Sequence, residues 1–148
     1  MKSVYAIAAA TMIAGPVFAD GHAASGDAAA GEAVFAKCAA CHVVMNEAGD
    51  TLAGKRAKTG PNLFNIAGKA AASTEDFKYG KDALAAGEAG LVWTEETFVS
   101  YVQDPTAFLR EFLDNKRARS KMSFKLRGEE DATNLYAYLA QFTAEEGS

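Results

Sequence analysis

Two thiols and an imidazole fall within five consecutive residues, Cys38-Ala39-Ala40-Cys41-His42, and the chain has no other cysteine. Each of these side chains can bond carbon or metal, so their spacing decides the chemistry. Cys-x-x-Cys-His is the attachment pattern of a c-type haem: the thiols form thioethers with two vinyl groups, and the adjacent imidazole sits where it can ligate the iron. A thioredoxin-like redox pair shares the Cys-x-x-Cys spacing but belongs within a strand-helix-strand pattern. The Ala-rich flank from 27 to 40 does not offer one. A structural zinc needs four N or S ligands, and beyond these three the chain has only His22, in a Gly/Ala/Ser-rich tail.

An iron held by protein on both faces needs a second donor, a Met, His or Lys carried by a distant part of the chain. Met1 and Met12 lie in the first 19 residues, and Met45 follows His42 by three, so the short connection keeps it on the same side. Met122 is the remaining methionine. It stands in Ser120-Lys121-Met122-Ser123-Phe124, 80 residues after His42, with ample chain between to wrap a porphyrin. Its alternative role is that of an adaptable core filler. Pro61, in Gly60-Pro61-Asn62-Leu63-Phe64, cannot donate a hydrogen bond but offers a carbonyl, and a ligating imidazole normally gives its second N–H to such an acceptor. Otherwise it is an ordinary turn proline.

These residues need elements to position them. Lys2, an apolar run over residues 4–14, and Gly15-Pro16-Val17-Phe18-Ala19 form a secretory signal peptide, with cleavage expected after Ala19. The run is shorter than the roughly 20 residues of a bilayer span; an uncleaved anchor is the alternative. Residues 20–148 then form one domain, exported to the periplasm. Asp27 caps a short helix that ends as the attachment motif begins. Residues 43–59, with Gly49, Asp50, Gly54, Lys55, Arg56 and Lys58, show little periodicity and predict an exposed loop. Thr94-Glu95-Glu96 opens a helix with Phe98, Tyr101 and Val102 on one face, and Asp104-Pro105 stops it and caps the next, which carries Phe108, Leu109 and Phe112. Glu129-Glu130-Asp131 begins the last helix, with Leu135, Tyr138, Leu139 and Phe142 at helical spacing.

Composition agrees with an all-α fold. Hydrophobic residues make up 49%, but 32 are Ala, while Ile and Val number only 3 and 8, so the β-branched residues that fill strands are scarce. No short apolar run makes a convincing strand. The net charge of −4 lacks the basic excess of a general nucleic-acid binder.

The order of Cys38-Ala39-Ala40-Cys41-His42, Lys58-Thr59-Gly60-Pro61-Asn62-Leu63, Trp93-Thr94-Glu95-Glu96-Thr97, Tyr101 with Asp104-Pro105, Lys121-Met122 and Tyr136-Ala137-Tyr138-Leu139 resembles the class I cytochrome c family. The likeness is to its longer bacterial cytochrome c2 and cytochrome c-550 group and covers the whole mature chain. It implies short helices and loops wrapped around one haem c, attached through Cys38 and Cys41 and ligated by His42 and Met122. It also implies that Pro61 orients His42, that Gly31 and Phe35 meet the last helix near Leu135, and that Tyr79 and Trp93 hydrogen-bond a haem propionate. Tyr101 should lie near the Met122 sulfur. Lys69 stands where many relatives carry an Arg near the other propionate, and Lys lacks the planar fork for that contact.

With both axial positions filled, iron has no open site for a substrate, and the resemblance implies a soluble periplasmic one-electron carrier rather than an enzyme. Its expected partners are membrane redox complexes such as a cytochrome bc1 complex, a cytochrome oxidase or a photosynthetic reaction centre; a monomer without nucleic-acid partners is expected. The rival readings are a haem sensor or weak peroxidase with a labile Met ligand, and a thiol-disulfide oxidoreductase. A cytochrome c′ type bundle fits less well, because its attachment motif lies near the C-terminus. Residues 110–127 hold Arg110, Lys116, Arg117, Arg119, Lys121, Lys125 and Arg127 against Glu111 and Asp114 alone. By resemblance this basic stretch, with Lys121 and Lys125 beside Met122, is the docking face; a solvated loop is the plainer alternative.

Overall fold

The computed structural model describes residues 24–143. In chain order these form helix α1 (Ala28–Phe35), strands β1 (Val43–Met45) and β2 (Thr51–Gly54), then helices α2 (Lys81–Glu88), α3 (Glu95–Gln103), α4 (Pro105–Phe112) and α5 (Glu129–Leu139). The signal segment 1–19 and His22 lie outside the described residues. Among the described residues no helix is long and apolar enough to cross a membrane.

The helix starts follow local chemistry. The Asp27 carboxylate accepts from the backbone N–H groups of Ala29 (2.8 Å) and Ala30 (3.1 Å), satisfying donors that an opening turn leaves without partners. Thr94 and Thr97 form a reciprocal capping box at α3, with Thr97 in the place usually taken by Glu or Gln. Asp104 ends α3 and caps α4 by accepting from Ala107 N–H at 3.1 Å. Pro105 at the first helical position loses nothing there, because its missing N–H would have had no partner.

Two elements depart from the sequence expectation. Residues 43–54, expected as loop, form an antiparallel hairpin pairing Val43 with Gly54 and Val44 with Ala53, with an irregularity before Met45 meets Thr51. Three- and four-residue strands are too short to show a period, and the turn is set by Asn46, whose side chain accepts from Asp50 N–H at 2.8 Å. Helix α2, eight residues rich in Ala, was hidden within a Gly/Ala-rich stretch whose few larger apolar side chains give no face to count. The fold is otherwise helical, as expected.

Helices α1 and α5 cross at Gly31, where a Cβ would meet the Asn134 carbonyl and stand 2.7 Å from the Tyr138 Cβ. Only a hydrogen at this position lets the backbones approach so closely. Phe35 and Tyr138 pack with ring centroids 5.6 Å apart, Asp27 N–H donates to Asn134 Oδ1 at 2.7 Å, and Lys37 pairs with Asp131 at 3.0 Å. Helix α3 joins this pair through Phe98 and Tyr136, 5.4 Å apart. Buried residues fall into two clusters. The larger includes Val34, Phe35, Leu63, Ile66, Phe98 and Leu135, and the smaller contains Ala71, Ala86, Leu91, Leu109 and Ala118. Trp93 and Tyr101 pack against both.

Gly31→Ala separates two effects of opposite sign. Helix propensity alone favours Ala by about 1 kcal/mol, whereas overpacking a tight contact costs about 1–3 kcal/mol. Because the alanine methyl would strike backbone, we expect a net loss, measured as a lower guanidinium midpoint; a raised midpoint would refute the close crossing.

Candidate haem site

Helix α1 ends at Phe35, and the chain continues in tight turns: Cys38 N–H donates to Phe35 O at 2.8 Å, Cys41 N–H to Cys38 O at 3.0 Å and His42 N–H to Cys38 O at 2.9 Å. This winding turns Cys38, Cys41 and His42 into one cavity of ≈ 350 Å³, which Pro61, Tyr79, Trp93, Tyr101 and Met122 also line. Its volume falls among sites for small molecules and cofactors, about 300–1,000 Å³. Most of the remaining wall is apolar: Leu63, Ile66, Phe98 and Leu135 come from the larger cluster, and Ala71, Ala86, Leu91 and Leu109 from the smaller.

The imidazole is fixed from behind. Pro61 O lies 2.9 Å from His42 Nδ1, and a carbonyl only accepts, so Nδ1 carries the proton and Nε2 keeps its lone pair for a metal. Burial pushes the His42 pKa down, against the opposing pull of the Pro61 hydrogen bond, which keeps the ring neutral at pH 7 as a ligand must be. Gly60, noticed in the sequence only as part of a turn, proves essential to the geometry. A Cβ there would stand 2.6 Å from Nδ1 and 2.8 Å from Nε2.

The cysteines do not stand at a helix N-terminus, and Cys38 is not an activated thiol. Reactive thiolates sit at helix N-termini or beside cations that lower their pKa. These follow the C-terminal end of α1, and burial pushes the Cys38 thiol up to about 11, with Lys37 opposing and Cys41 adding to the rise.

The two methionines of the described residues are separated by the fold. Met45 lies in β1, clasped through its backbone by Asn62, which accepts from Met45 N–H at 3.0 Å and donates to Met45 O at 2.7 Å; it does not line the cavity, whereas Met122 does. Tyr101 reaches the Met122 segment through Ser120: the two hydroxyl oxygens are 2.9 Å apart, and Ser120 Oγ accepts from Met122 N–H at 3.1 Å. Burial pushes the Tyr101 phenol up, partly offset by Ser120, while Tyr79 adds to the rise. Trp93 packs edge-on against Tyr101 at 4.9 Å, and Phe77 against Tyr79 at 4.8 Å. Phe77, also a lining residue, carried no periodic signal in its Gly/Ala-rich surroundings. Lys69 is not among the lining residues.

No family model matches the chain, but whole proteins do. It shares 52% identity over 122 residues with cytochrome c2 of Rhodovulum adriaticum, covering 82% of this chain and 97% of that one. With cytochrome c-550 of Paracoccus denitrificans it shares 42% over 147 residues, covering 98% and 90%. The structure superposes on cytochrome c2 from Rhodobacter sphaeroides with a TM-score of 0.78 at 50% identity, over 80% of this chain and 97% of that one. The chain belongs to the class I cytochrome c family. It stands in the cytochrome c2 and c-550 group, and is an electron-transfer protein rather than an enzyme.

Membership implies a c-type haem, and the residues present fit one: two thiols, a neutral imidazole and a thioether line a single apolar cavity, and Gly60 leaves room for the imidazole. The basic residues near Met122 are partly committed within the cytochrome. Lys121 Nζ donates to Lys78 O at 2.9 Å, its stem lies against Gly80, and Lys125 Nζ pairs with Asp104 at 2.6 Å.

Gly60→Ala and Pro61→Ala test the backing of the imidazole. The first drives a methyl into the ring and should cost about 1–3 kcal/mol by overpacking, lowering the yield of protein with attached haem. The second keeps the carbonyl acceptor and should cost less. Unfolding midpoints and haem absorbance per polypeptide measure both, and equal effects would contradict the geometry.

Proposed function

We propose that this cytochrome is a soluble one-electron carrier of the periplasm, released by cleavage after Ala19, with one haem attached through Cys38 and Cys41 and ligated by His42 and Met122. The observation that carries the reading is that His42 and Met122, far apart in sequence, line one apolar cavity with both cysteines, while Met45 does not. The haem, when bound, takes up and releases one electron at its iron. The protein's part is to change little as that happens. Pro61 holds the Nδ1–H of His42 and fixes the ring; the apolar walls exclude water and disfavour added charge, and a thioether donor favours the reduced metal relative to a second imidazole, two effects that suit a high-potential couple. Tyr79 and Trp93 supply a phenol O–H and an indole N–H for a propionate. The haem sensor reading requires Met122 to stand off the iron at rest, whereas the hydrogen bonds of its segment hold it against the cavity.

Docking falls to the basic rim. Lys121 and Lys125 flank Met122 and are exposed, and steering by such charges lets a carrier bind and leave quickly without a large interface. Membrane redox complexes with acidic patches, such as a cytochrome bc1 complex, a cytochrome oxidase or a photosynthetic reaction centre, are the matching partners.

Ligation is tested on protein matured in a competent periplasm. The intact mass should begin at Asp20 and include one haem. Met122→Ala should keep that haem, lose the weak near-red iron–sulfur absorption of the oxidised form, lower the potential and admit external ligands; Met45→Ala should do none of these. The reverse result would reassign the ligand. For docking, stopped-flow electron transfer should slow as salt shortens the Debye length below about 10 Å. Lys121→Glu should slow it severalfold at low salt, whereas Glu47→Lys, in the hairpin turn and away from the cavity lining, should not. Salt-independent rates would remove the docking face.

A further inference from the structure

The segment that carries Met122 has no ladder of its own. Helix α4 ends at Phe112 and α5 begins at Glu129, and between Ala118 and Leu126 no backbone N–H of the described residues donates to a backbone carbonyl. Besides the ties of Lys121 to Lys78 O and of Lys125 to Asp104, side chains from three helices fix it. Thr106 of α4 accepts from Ser120 N–H at 3.2 Å, and Tyr101 of α3 meets the Ser120 hydroxyl at 2.9 Å. Asp82 of α2 accepts from Arg119 N–H at 3.0 Å.

Asp82 stands apart among these anchors. It is 8% exposed, the only charged residue among those described that is buried. Burying a carboxylate is costly unless hydrogen bonds replace its water. A first-turn position on α2 supplies part of that replacement through the positive end of the helix, and the Arg119 N–H supplies another. Thr106 and Tyr101 hold the segment from α4 and α3; Asp82 holds it from α2, whose Ala86 lies in the smaller core cluster. Removing this hold takes away the backbone tie to α2 three residues before Met122 and leaves that side to the flexible Lys121 stem on Lys78 O.

We propose that Asp82 is a positioning residue for Met122: by fixing Arg119 N–H it holds the methionine segment against the cavity and sets how readily the sulfur gives way to another ligand. The proposal rests on Met122 as the axial donor. A hydrogen bond to a charged acceptor is stronger than one to a neutral acceptor, so the role grades with the acceptor at position 82. Asp82→Asn keeps a neutral oxygen and Asp82→Ala keeps none.

The test is imidazole binding to the oxidised holoprotein, followed by loss of the iron–sulfur absorption, together with the reduction potential and the unfolding midpoint. Asp82→Ala should bind imidazole about tenfold more tightly or better, in line with loss of a charge-assisted hydrogen bond, with Asp82→Asn between it and the unchanged protein. Asp27→Ala, which removes the cap of α1, should lower the midpoint but leave imidazole affinity alone. If Asp82→Ala fails to fold, a rise of about threefold or more in Asp82→Asn supports the role and none overturns it. Iron–sulfur absorption that is absent from the unchanged protein, or that survives Met122→Ala, overturns the ligand reading and the proposal with it. Absorption lost in Met122→Ala, with the position-82 variants at the original affinity or Asp27→Ala shifted equally, overturns the role of Asp82 alone.

Discussion

One of the two apolar clusters of this cytochrome is not a core by itself, and that constraint governs the rest of the molecule. The smaller one consists of three alanines and two leucines. Fully burying a leucine contributes about 1.5–3 kcal/mol, while fixing the backbone of a single residue costs about 1–2 kcal/mol. Five such residues cannot by themselves order the stretch from Ala71 to Ala118 that they punctuate. Both clusters contribute walls to the same cavity, so an apolar group held there has contacts on both and completes what the smaller one lacks. The scarcity of large apolar residues in the chain is consistent with a fold in which the cofactor is a structural member. It also explains why long stretches without helix or strand are tolerated: they are walls of a cavity, tied down at intervals by single hydrogen bonds.

The proposed ligands are held in physically different ways. His42 is placed by its immediate neighbours: backbone turns from Phe35 to His42, the Pro61 carbonyl, and the hydrogen-only face of Gly60. Everything around it is backbone or within twenty residues, and the thiols beside it are available for covalent attachment. Met122 is placed by side chains remote in sequence, Tyr101 and Thr106 through Ser120 and Asp82 through Arg119. Side-chain tethers on an exposed segment open more easily than a backbone-wound turn. The methionine side is therefore the softer face of the site, and the side where an exchange of ligands would begin.

The same division explains what the sequence made legible. Cys38, Cys41 and His42 stood out as candidates because haem attachment demands a fixed local spacing, and the structure brings them to one cavity; the caps at Asp27, Thr94 and Asp104 were readable because capping is decided within four residues. Met122 was a candidate by elimination, and the structure puts it on the cavity wall; Pro61 followed from the need of an imidazole for an acceptor. The hairpin at 43–54 and helix α2 were not readable: strands of three and four residues have no period, and an Ala-rich helix of eight residues shows no apolar face. Gly60 and Asp82 were missed for a further reason. Their roles lie in what they touch, an imidazole ring and a backbone N–H of a residue 37 positions away, and no composition or periodicity reports a contact of that kind.

Charge in this cytochrome serves two purposes at once. The chain is acidic overall at −4, yet the segment around Met122 is basic, and the fold uses some of those cations internally. Lys121 ties that segment to the Lys78 carbonyl, and Lys125 ties it to Asp104, which itself caps α4 and whose carboxyl is held below its usual range first of all by the Lys125 hydrogen bond. A carbonyl leaves the ammonium charge of Lys121 uncompensated, so it still contributes to the field outside the molecule. A carboxylate at 2.6 Å largely cancels that of Lys125 at distances beyond the pair. The two lysines that look equivalent in sequence are thus unequal in solution: both brace the methionine segment, but Lys121 projects a net positive charge toward a partner while Lys125 presents a dipole. Because exposed ion pairs are weak and screened by salt, a partner with its own carboxylates can compete for Lys125 at close range. Long-range steering belongs to the uncompensated cations of the rim, and short-range recognition can recruit the paired one.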